Sequence, residues 1–552
     1  MWNSAQPRPS PGDDFDVVVV GGGINGVAIA RDCAGAGARV LLLEQHDFCS
    51  GVTSRSTRII HGGLRYLEHG EIGLVRESLR EREALLCHQP HLVRPLRFVL
   101  ALPHNGAHSA LAVRAGLWFY RRLGGSPRHT DSAGSELHGF EKLLDSGRPW
   151  SLFDYEDAQC EFPERLVAEW LHEAVKAGAT ARNYTQLLEV ERSHGDVTGI
   201  RARDLGSGNE FSVACKWVIN ATGPWASQVA SSCGIVLDKP LIGGVRGSHI
   251  VLPRFPGAPD AALYSEAIDG RPFFIVPWTG QLLVGTTEVR DEGDPGKVRP
   301  AEEEIQYLLQ SFNRIFPAVA ADRSQIRYAF AGIRPLPYVN DLDPAAITRR
   351  EILHDHAPEG ARGMLSVIGG KLTTAASLAR ECSRRIGFPV VEPRATVVAG
   401  FPCNGIESSL CQWARQVAMV AGITAEAAHS IAEWHGRTAL CVARRAERDP
   451  RMRAPLCPHT QHIVAEAVAA FEHEHAVTAA DVLLRRVPVA LAGDWDEDCS
   501  RTAVERIGCV MGWSPGRTAY ELDSFQAERD AFLIRPNPNG DRNALPAGER
   551  AA

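Results

Sequence analysis

The chain has 552 residues, 44% of them apolar and 23% charged, with a net charge of −7. This is the make-up of a packed globular protein of several domains, and it excludes a disordered or fibrous chain. The acidic balance also argues against a dedicated nucleic-acid binder, whose footprint is usually basic.

Residues 1–13 and 536–552 are polar, rich in proline or small residues, and are expected to be flexible tails. The first of them lacks the apolar core of a signal peptide. Phe15–Val20 reads as a buried strand. Gly21, Gly23 and Gly26 follow in a G-x-G-x-x-G turn that opens a helix over Ile24–Ala36, and Ala38–Leu43 is a second strand ending at Glu44. Gly21 permits the tight turn, Gly23 lets a pyrophosphate approach the backbone, and Gly26 lets helix and strand pack closely. The phosphates then meet free N–H groups and the positive end of the helix dipole. Glu44 can accept bonds from a ribose diol and would repel a 2′-phosphate.

Leu111–Leu123 is a basic, aromatic, amphipathic helix, which suits an interfacial position or packing inside a substrate domain. Short apolar runs at Trp217–Ile219, Phe273–Val276, Leu282–Val284 and Leu365–Ile368 are further strands. Two of them end in glycine turns, Asn220-Ala221-Thr222-Gly223-Pro224 and Gly369-Gly370-Lys371-Leu372-Thr373-Thr374, and the second opens another helix. Its N-terminus can face an anionic group.

From about 405 the texture becomes helical. Thr424 is an N-cap, Gly436 ends that helix, and Ser514-Pro515 starts another. Ile463, Ala467 and Phe471 make an apolar stripe with Glu466 on its flank. Asp494–Glu505 imitates a calcium loop, but Cys499 stands where the turn demands glycine. Thirteen scattered cysteines, with no C-x-x-C pair, read as reduced thiols of a cytoplasmic-type compartment. No zinc-ligand spacing stands out among them, and no metal is expected. No run of 18 apolar residues is present, so any membrane contact, such as one at the inner face of the cell membrane, is expected to be peripheral.

Read together, GGGINGVAIARDCAGAGARVLLLEQHDFCSGVTSRSTRIIHGGLRYLEHG, NATGPW, GSHIVLP, FFIVPW, GTTEV, AGIRPL, AITRR, GGKLTT and AVTAADVLLRR resemble, in that order, the FAD-dependent glycerol-3-phosphate dehydrogenases of the D-amino-acid oxidase superfamily. The resemblance spans about 14–510. It implies an α/β fold: a Rossmann-like FAD-binding domain (about 14–75, 150–235 and 330–400) with an inserted antiparallel-sheet substrate domain (about 76–149 and 236–329). A helical C-terminal domain follows over 401–535.

Position by position, the resemblance implies FAD contacts from Gly21, Gly23, Gly26, Glu44, Ser54, Ser56, Thr57, His61, Gly62, Gly63, Thr222, Gly223, Gly370, Lys371, Leu372 and Thr373. Arg65, Arg349 and Lys371 match the substrate pocket, and His249 and Arg334 match its catalytic part. A neutral imidazole at His249 is the obvious proton acceptor. The implied reaction is oxidation of sn-glycerol 3-phosphate to dihydroxyacetone phosphate, with a quinone as electron acceptor. The quaternary state is left open, a homodimer being one option.

The sequence departs from the family pattern where G-T-T-D becomes Gly285-Thr286-Thr287-Glu288 and D-A-R-L becomes Pro163-Glu164-Arg165-Leu166. The stretch before Leu166 is also one residue longer. The alternatives are a superfamily oxidase or dehydrogenase acting on another phosphorylated or carboxylated hydroxy or amino compound, and an FAD-binding protein without enzymatic activity.

Overall fold

A computed structural model describes residues 14–67, 70–103, 109–124, 139–340, 347–390 and 406–535. The expected terminal tails, and Ala346 of the AITRR stretch, lie outside the described residues.

Two sheets organise the molecule. The first has eight strands in the order β16-β17-β9-β1-β2-β6, with β8 (Asp196–Asp204) pairing β9 and β7 (Thr185–Ser193) pairing β8. Its centre is β1 (Asp14–Val20), parallel to β2 (Val40–Leu43) on one side and to β9 (Glu210–Asn220) on the other. Beyond them lie β6 (Thr180–Arg182) and β17 (Met364–Ile368), also parallel, and β16 (Ile352–Asp355) antiparallel at the edge. The Val-rich run of β1 is buried because helices cover one face of this part of the sheet, while the strands β7 and β8, with the short helix Ala226–Ser232, cover the other. The helix Ile24–Gly35 packs between the helices Pro163–Lys176 and Ala375–Arg385.

The second sheet has nine strands in the order β14-β10-β13-β12-β11-β4-β5-β3, with β15 pairing β10. It contains β3 (Ile59–Ile60), β4 (Val93–Pro103), β5 (Trp150–Cys160), β10 (Val245–Pro253), β11 (Ala262–Glu266), β12 (Pro272–Trp278), β13 (Gln281–Gly285), β14 (Val289–Arg290) and β15 (Tyr328–Arg334). β4 and β5 pair along their whole lengths, from Val93↔Cys160 to Pro103↔Trp150. The segment 150–160 therefore belongs to the antiparallel sheet and not, as the boundary near 150 implied, to the FAD-binding part. The short strand Ile59–Ile60 pairs with it, and Tyr328–Arg334 joins the same sheet. Periodicity cannot separate these cases, since a buried strand reads alike in either sheet.

The C-terminal region is helical, from Ile406–Ala421 to Pro515–Phe532. Thr424 and Ser514 cap their helices by accepting from Ala427 N and Arg517 N. Asp496 caps the helix Glu497–Met511, so the calcium-like stretch is a helix start. Glu466 is fully buried, not on a flank: its carboxylate accepts from His435 and His462. Buried Arg165 joins the helix Pro163–Lys176 to this region through Glu474 and the carbonyls of Trp434 and Arg486.

Candidate active site

The parallel strands deliver their carboxyl ends to one rim. Gly21 follows β1, Glu44 follows β2, Ala221–Gly223 follow β9, and Gly369–Lys371 follow β17. Ligands of open parallel sheets bind at that rim. Gly21 has φ +106°, and a Cβ there would lie 2.6 Å from the Ala221 carbonyl oxygen, so the turn admits only glycine. Thr222 donates its hydroxyl to Asn220 Oδ1 at 2.6 Å and sits against Gly21. Asn25, in the first turn of the helix, reaches the Gly369 carbonyl, and its Oδ1 is buried without a partner. Three loops distant in sequence thus form one cradle, and the backbone space at Gly21–Gly23 fits a dinucleotide.

Glu44 also ties the end of β2 to the glycine turn. Its Oε2 accepts from Gly22 N at 2.6 Å and its Oε1 from His46 N at 2.8 Å. Each oxygen keeps a lone pair for a ribose hydroxyl. Ser54 is buried and donates to the Cys49 carbonyl, which holds this loop together.

A cavity of about 320 Å³ opens between the two sheets. Its lining brings together Ser56, Thr57, His61, Gly63, Arg65, His249, Arg334, Arg349, Gly370, Lys371, Leu372 and Thr373. Gly21, Gly23, Gly26, Glu44, Thr222 and Gly223 lie outside it, at the rim of the parallel sheet. Gly62 is buried behind the wall, donating its N–H to the Tyr120 hydroxyl at 2.8 Å. His61 N donates to Thr373 Oγ1, which ties the loop before Arg65 to the loop after β17.

Register explains the placement of His249 and Arg334. β10 pairs with β13 at His249↔Gly285 and with β15 at Val245↔Arg334. A Cβ at Gly285 would lie 2.4 Å from the His249 ring, and one at Gly247 would lie 2.5 Å from Arg334 Nη2, so these glycines make room for the two side chains. His249 Nε2 is 2.9 Å from Thr57 Oγ1, while Nδ1 is buried without a partner. Burial, helped by Arg334 and Arg58, pulls the imidazole down to about 3. It is neutral at ordinary pH.

The cations are not equivalent. Arg58 is fully buried in a fork-to-fork pair with Glu164 at 3.0 Å, and Arg349 donates to Glu288 at 2.7 Å. Arg334 donates only to uncharged oxygens, Thr286 Oγ1 and the Thr287 carbonyl. Lys371 Nζ is buried with no hydrogen-bond partner and lies 4.4 Å from the centre of the Tyr66 ring. Burial lowers Arg334 to about 10 and Lys371 to about 8. Among the described residues neither forms a hydrogen-bonded ion pair with a carboxylate; Glu351, Glu71 and Glu77 act on Lys371, and Glu288 on Arg334, only through space, so the wall keeps positive charge free to bind an anion next to a neutral base.

Several participants escaped the sequence reading. Tyr66 adjoins the matched Arg65, and Arg58 adjoins the matched Thr57, so proximity to a motif was the available signal. Asp157 lines the cavity and is held from behind by Arg82 and Tyr120, which donate to it at 2.6 and 2.9 Å. Those contacts bridge 75 and 37 residues, and no local pattern announces them.

A family model described as FAD dependent oxidoreductase matches residues 16–376, and one described as the C-terminal domain of alpha-glycerophosphate oxidase matches residues 396–518. The glycerol-3-phosphate dehydrogenase of Synechocystis sp. is 37% identical over 540 residues, covering 93% of this chain and 95% of that protein. The D-erythritol 1-phosphate dehydrogenase of Brucella abortus is 37% identical over 379 residues, 67% of this chain and 73% of that protein. Among solved structures, the glycerol-3-phosphate dehydrogenase from Bacillus halodurans complexed with FAD superposes with a TM-score of 0.74 at 22% identity, over 94% of this chain and 95% of that one. The last match speaks for the fold, and the family models and the long sequence match speak for descent: this chain belongs to the FAD-dependent glycerol-3-phosphate dehydrogenases, within the FAD dependent oxidoreductase family.

Proposed function

We propose that the chain oxidises sn-glycerol 3-phosphate to dihydroxyacetone phosphate and passes the electrons to a quinone at a membrane face. The observation that carries the substrate class is the buried, unpartnered Lys371 ammonium in the same wall as Arg334. A desolvated cation with no hydrogen-bonded counter-ion is costly, and a phosphate dianion is the ligand that relieves it. Bound FAD supplies the acceptor for the hydride that leaves C2 of the alcohol.

The chain's own residues do the rest. Lys371 and Arg334 bind the phosphate, with Arg65 and Arg349 at its flanks. The Thr57 hydroxyl takes the Nε2 hydrogen of His249, which leaves the Nδ1 lone pair for the proton of the substrate hydroxyl. The incoming dianion raises the proton affinity of His249 from its depressed value, so the base strengthens when substrate is present. Residues Gly370–Thr373, with His61 held by Thr373, border the flavin side of the cavity.

A second reading, a longer polyol monophosphate, is favoured by Glu288. Its Oε2 is buried in the cavity wall without a partner and can accept from one further hydroxyl. D-erythritol 1-phosphate and glycerol 3-phosphate, compared by kcat/KM, separate the two readings.

The membrane part rests on the helix Ala110–Gly124. Leu117 and Tyr120 are buried on one side, while Leu111 and Trp118 stand 79% and 68% exposed beside Arg114, Arg121 and Arg122. Among the described residues no helix is long and apolar enough to cross a membrane. The testing experiment couples glycerol 3-phosphate to a soluble quinone analogue while oxygen consumption is followed. Quinone reduction without peroxide supports the proposal; peroxide release with no quinone reduction makes the protein an oxidase.

A further inference from the structure

The hairpin of β16 and β17 carries Gly369–Lys371 at one end. At its other end, away from the cavity, His354, His356 and Glu359 converge. His356 is 0% exposed, with Nε2 2.8 Å from Ser366 Oγ, and Ser366 Oγ also accepts from Asn220 Nδ2 at 3.0 Å. Its other nitrogen, Nδ1, has no hydrogen-bond partner. Neither has the buried Glu359 Oε2, which faces that nitrogen at 3.6 Å. The second carboxylate oxygen, Oε1, lies 3.1 Å from His354 Nε2. The two imidazole rings are 4.7 Å apart and inclined at 75°.

A His354–Glu359 hydrogen bond accounts for one oxygen only. It leaves two buried polar atoms facing each other at a distance too long for a hydrogen bond. The distance has another meaning. Two ligands of a tetrahedral zinc ion, each bound at about 2.1 Å, stand roughly 3.4 Å apart, so the 3.6 Å gap matches one edge of such a shell. Donor atoms of all three residues lie within 4.8 Å of one another.

We infer that His354, His356 and Glu359 bind a divalent transition-metal ion of the zinc type, with water in the fourth position. Two imidazoles and one carboxylate favour such an ion over calcium or magnesium, which take oxygen ligands. His354 and Glu359 are 30% and 21% exposed and give the ion its entrance. Ser366 and Asn220 orient the buried ring, as outer-shell partners of ligating histidines do. The ion closes the turn between β16 and β17, so its role is structural. The sequence reading considered cysteine spacing and passed over H-x-H-x-x-E, in which the ligands come from a strand end and a turn.

The test uses the full-length, FAD-loaded protein, stripped with a chelator, dialysed, and titrated separately with zinc sulfate and cobalt chloride. The expected result is one ion of each per chain at this site, the visible bands of tetrahedral cobalt, and a zinc-dependent rise in melting temperature. His354→Gln and Glu359→Gln should each weaken zinc binding at least tenfold, and Ser366→Ala should do so by roughly 10–100-fold. His356→Ala opens a hole in the core, so the two half-exposed positions carry the test, with flavin content as the check on folding. The chain has 20 histidines. Equal zinc stoichiometry and affinity in the wild type and both variants, or cobalt without tetrahedral bands, overturns the assignment.

Discussion

At the scale of single residues, the cavity wall separates a base from a charge clamp, and pH distinguishes them. His249 is pulled down to about 3 and stays neutral through the working range, whereas Lys371, lowered to about 8, loses its proton just above neutrality. Phosphate affinity in the free enzyme should therefore fall as pH rises through about 8, while the rate of flavin reduction at saturation stays flat from pH 6 to 8. Lys371→Met should raise KM and abolish the alkaline limb. His249→Ala should slow flavin reduction by about 10²–10⁴-fold with little change in affinity. If the limb near 8 survives in Lys371→Met, it belongs to another group. Stability follows the same group: an unfolded chain takes up a proton on His249 that the folded chain refuses, so its contribution becomes unfavourable as pH falls below about 6.5.

The Arg349–Glu288 pair yields a second, independent expectation. Removing the arginine strands a carboxylate beside the phosphate site, so Arg349→Ala should weaken glycerol 3-phosphate binding by roughly 2–5 kcal/mol. Part of that loss is repulsion from Glu288. The double variant Arg349→Ala/Glu288→Gln should bind the substrate more tightly than Arg349→Ala alone. Additive losses in a double-mutant cycle would show that Glu288 does not face the phosphate.

Between elements, buried ion pairs hold the site in place. The loop after Glu44 is clamped by the C-terminal region: Arg486 donates to both oxygens of Asp47 at 2.7 and 2.8 Å, and Arg485 donates to one at 2.5 Å. Phe48, next in the loop, packs against Gly22 in the dinucleotide turn. Asp47→Asn takes the paired carboxylate from buried Arg486, while Arg485 keeps Asp481 and Glu528, and should cost roughly 3–5 kcal/mol. Loss of FAD should accompany it, measured as flavin retained after gel filtration at a temperature where the fold persists. Full flavin retention at reduced stability would make the clamp structural only.

These elements also mark the limit of what the sequence discloses. The strand, glycine turn, helix and acid over 14–44 are legible because each depends on neighbours in the chain. The edges of that unit, at Gly35 and Val40, fall close to where the pattern places them. The turns at Thr222 and Gly370 were readable as turns, but their convergence on Gly21 required the strand order. The pairs Arg58–Glu164 and Arg349–Glu288 join residues far apart in sequence, and only the register of β10, β13 and β15 shows why His249 and Arg334 share a wall. Glu288 and Glu164 stood out as departures from a pattern, but nothing local paired them with Arg349 and Arg58.

For the molecule as a whole, the exposed face of Ala110–Gly124 sets the expectation for membranes. Trp118→Ser with Leu111→Ser should lower sedimentation with anionic lipid vesicles and leave flavin reduction by glycerol 3-phosphate unchanged, since neither residue lines the cavity. Added salt should weaken the wild-type association, because arginines flank the apolar pair. Vesicle binding unaffected by the double substitution would move the contact elsewhere on the surface.

The central claim, that an FAD enzyme here selects a phosphorylated alcohol, is tested most directly by anaerobic mixing. The purified protein is combined in turn with glycerol 3-phosphate, glycerol, lactate and D-alanine while the visible flavin absorbance is followed. The wall of Lys371 and Arg334 predicts rapid bleaching by glycerol 3-phosphate and negligible bleaching by the other three. Bleaching driven best by lactate or D-alanine, or equally by glycerol, would contradict the phosphate assignment and with it the account of the cavity.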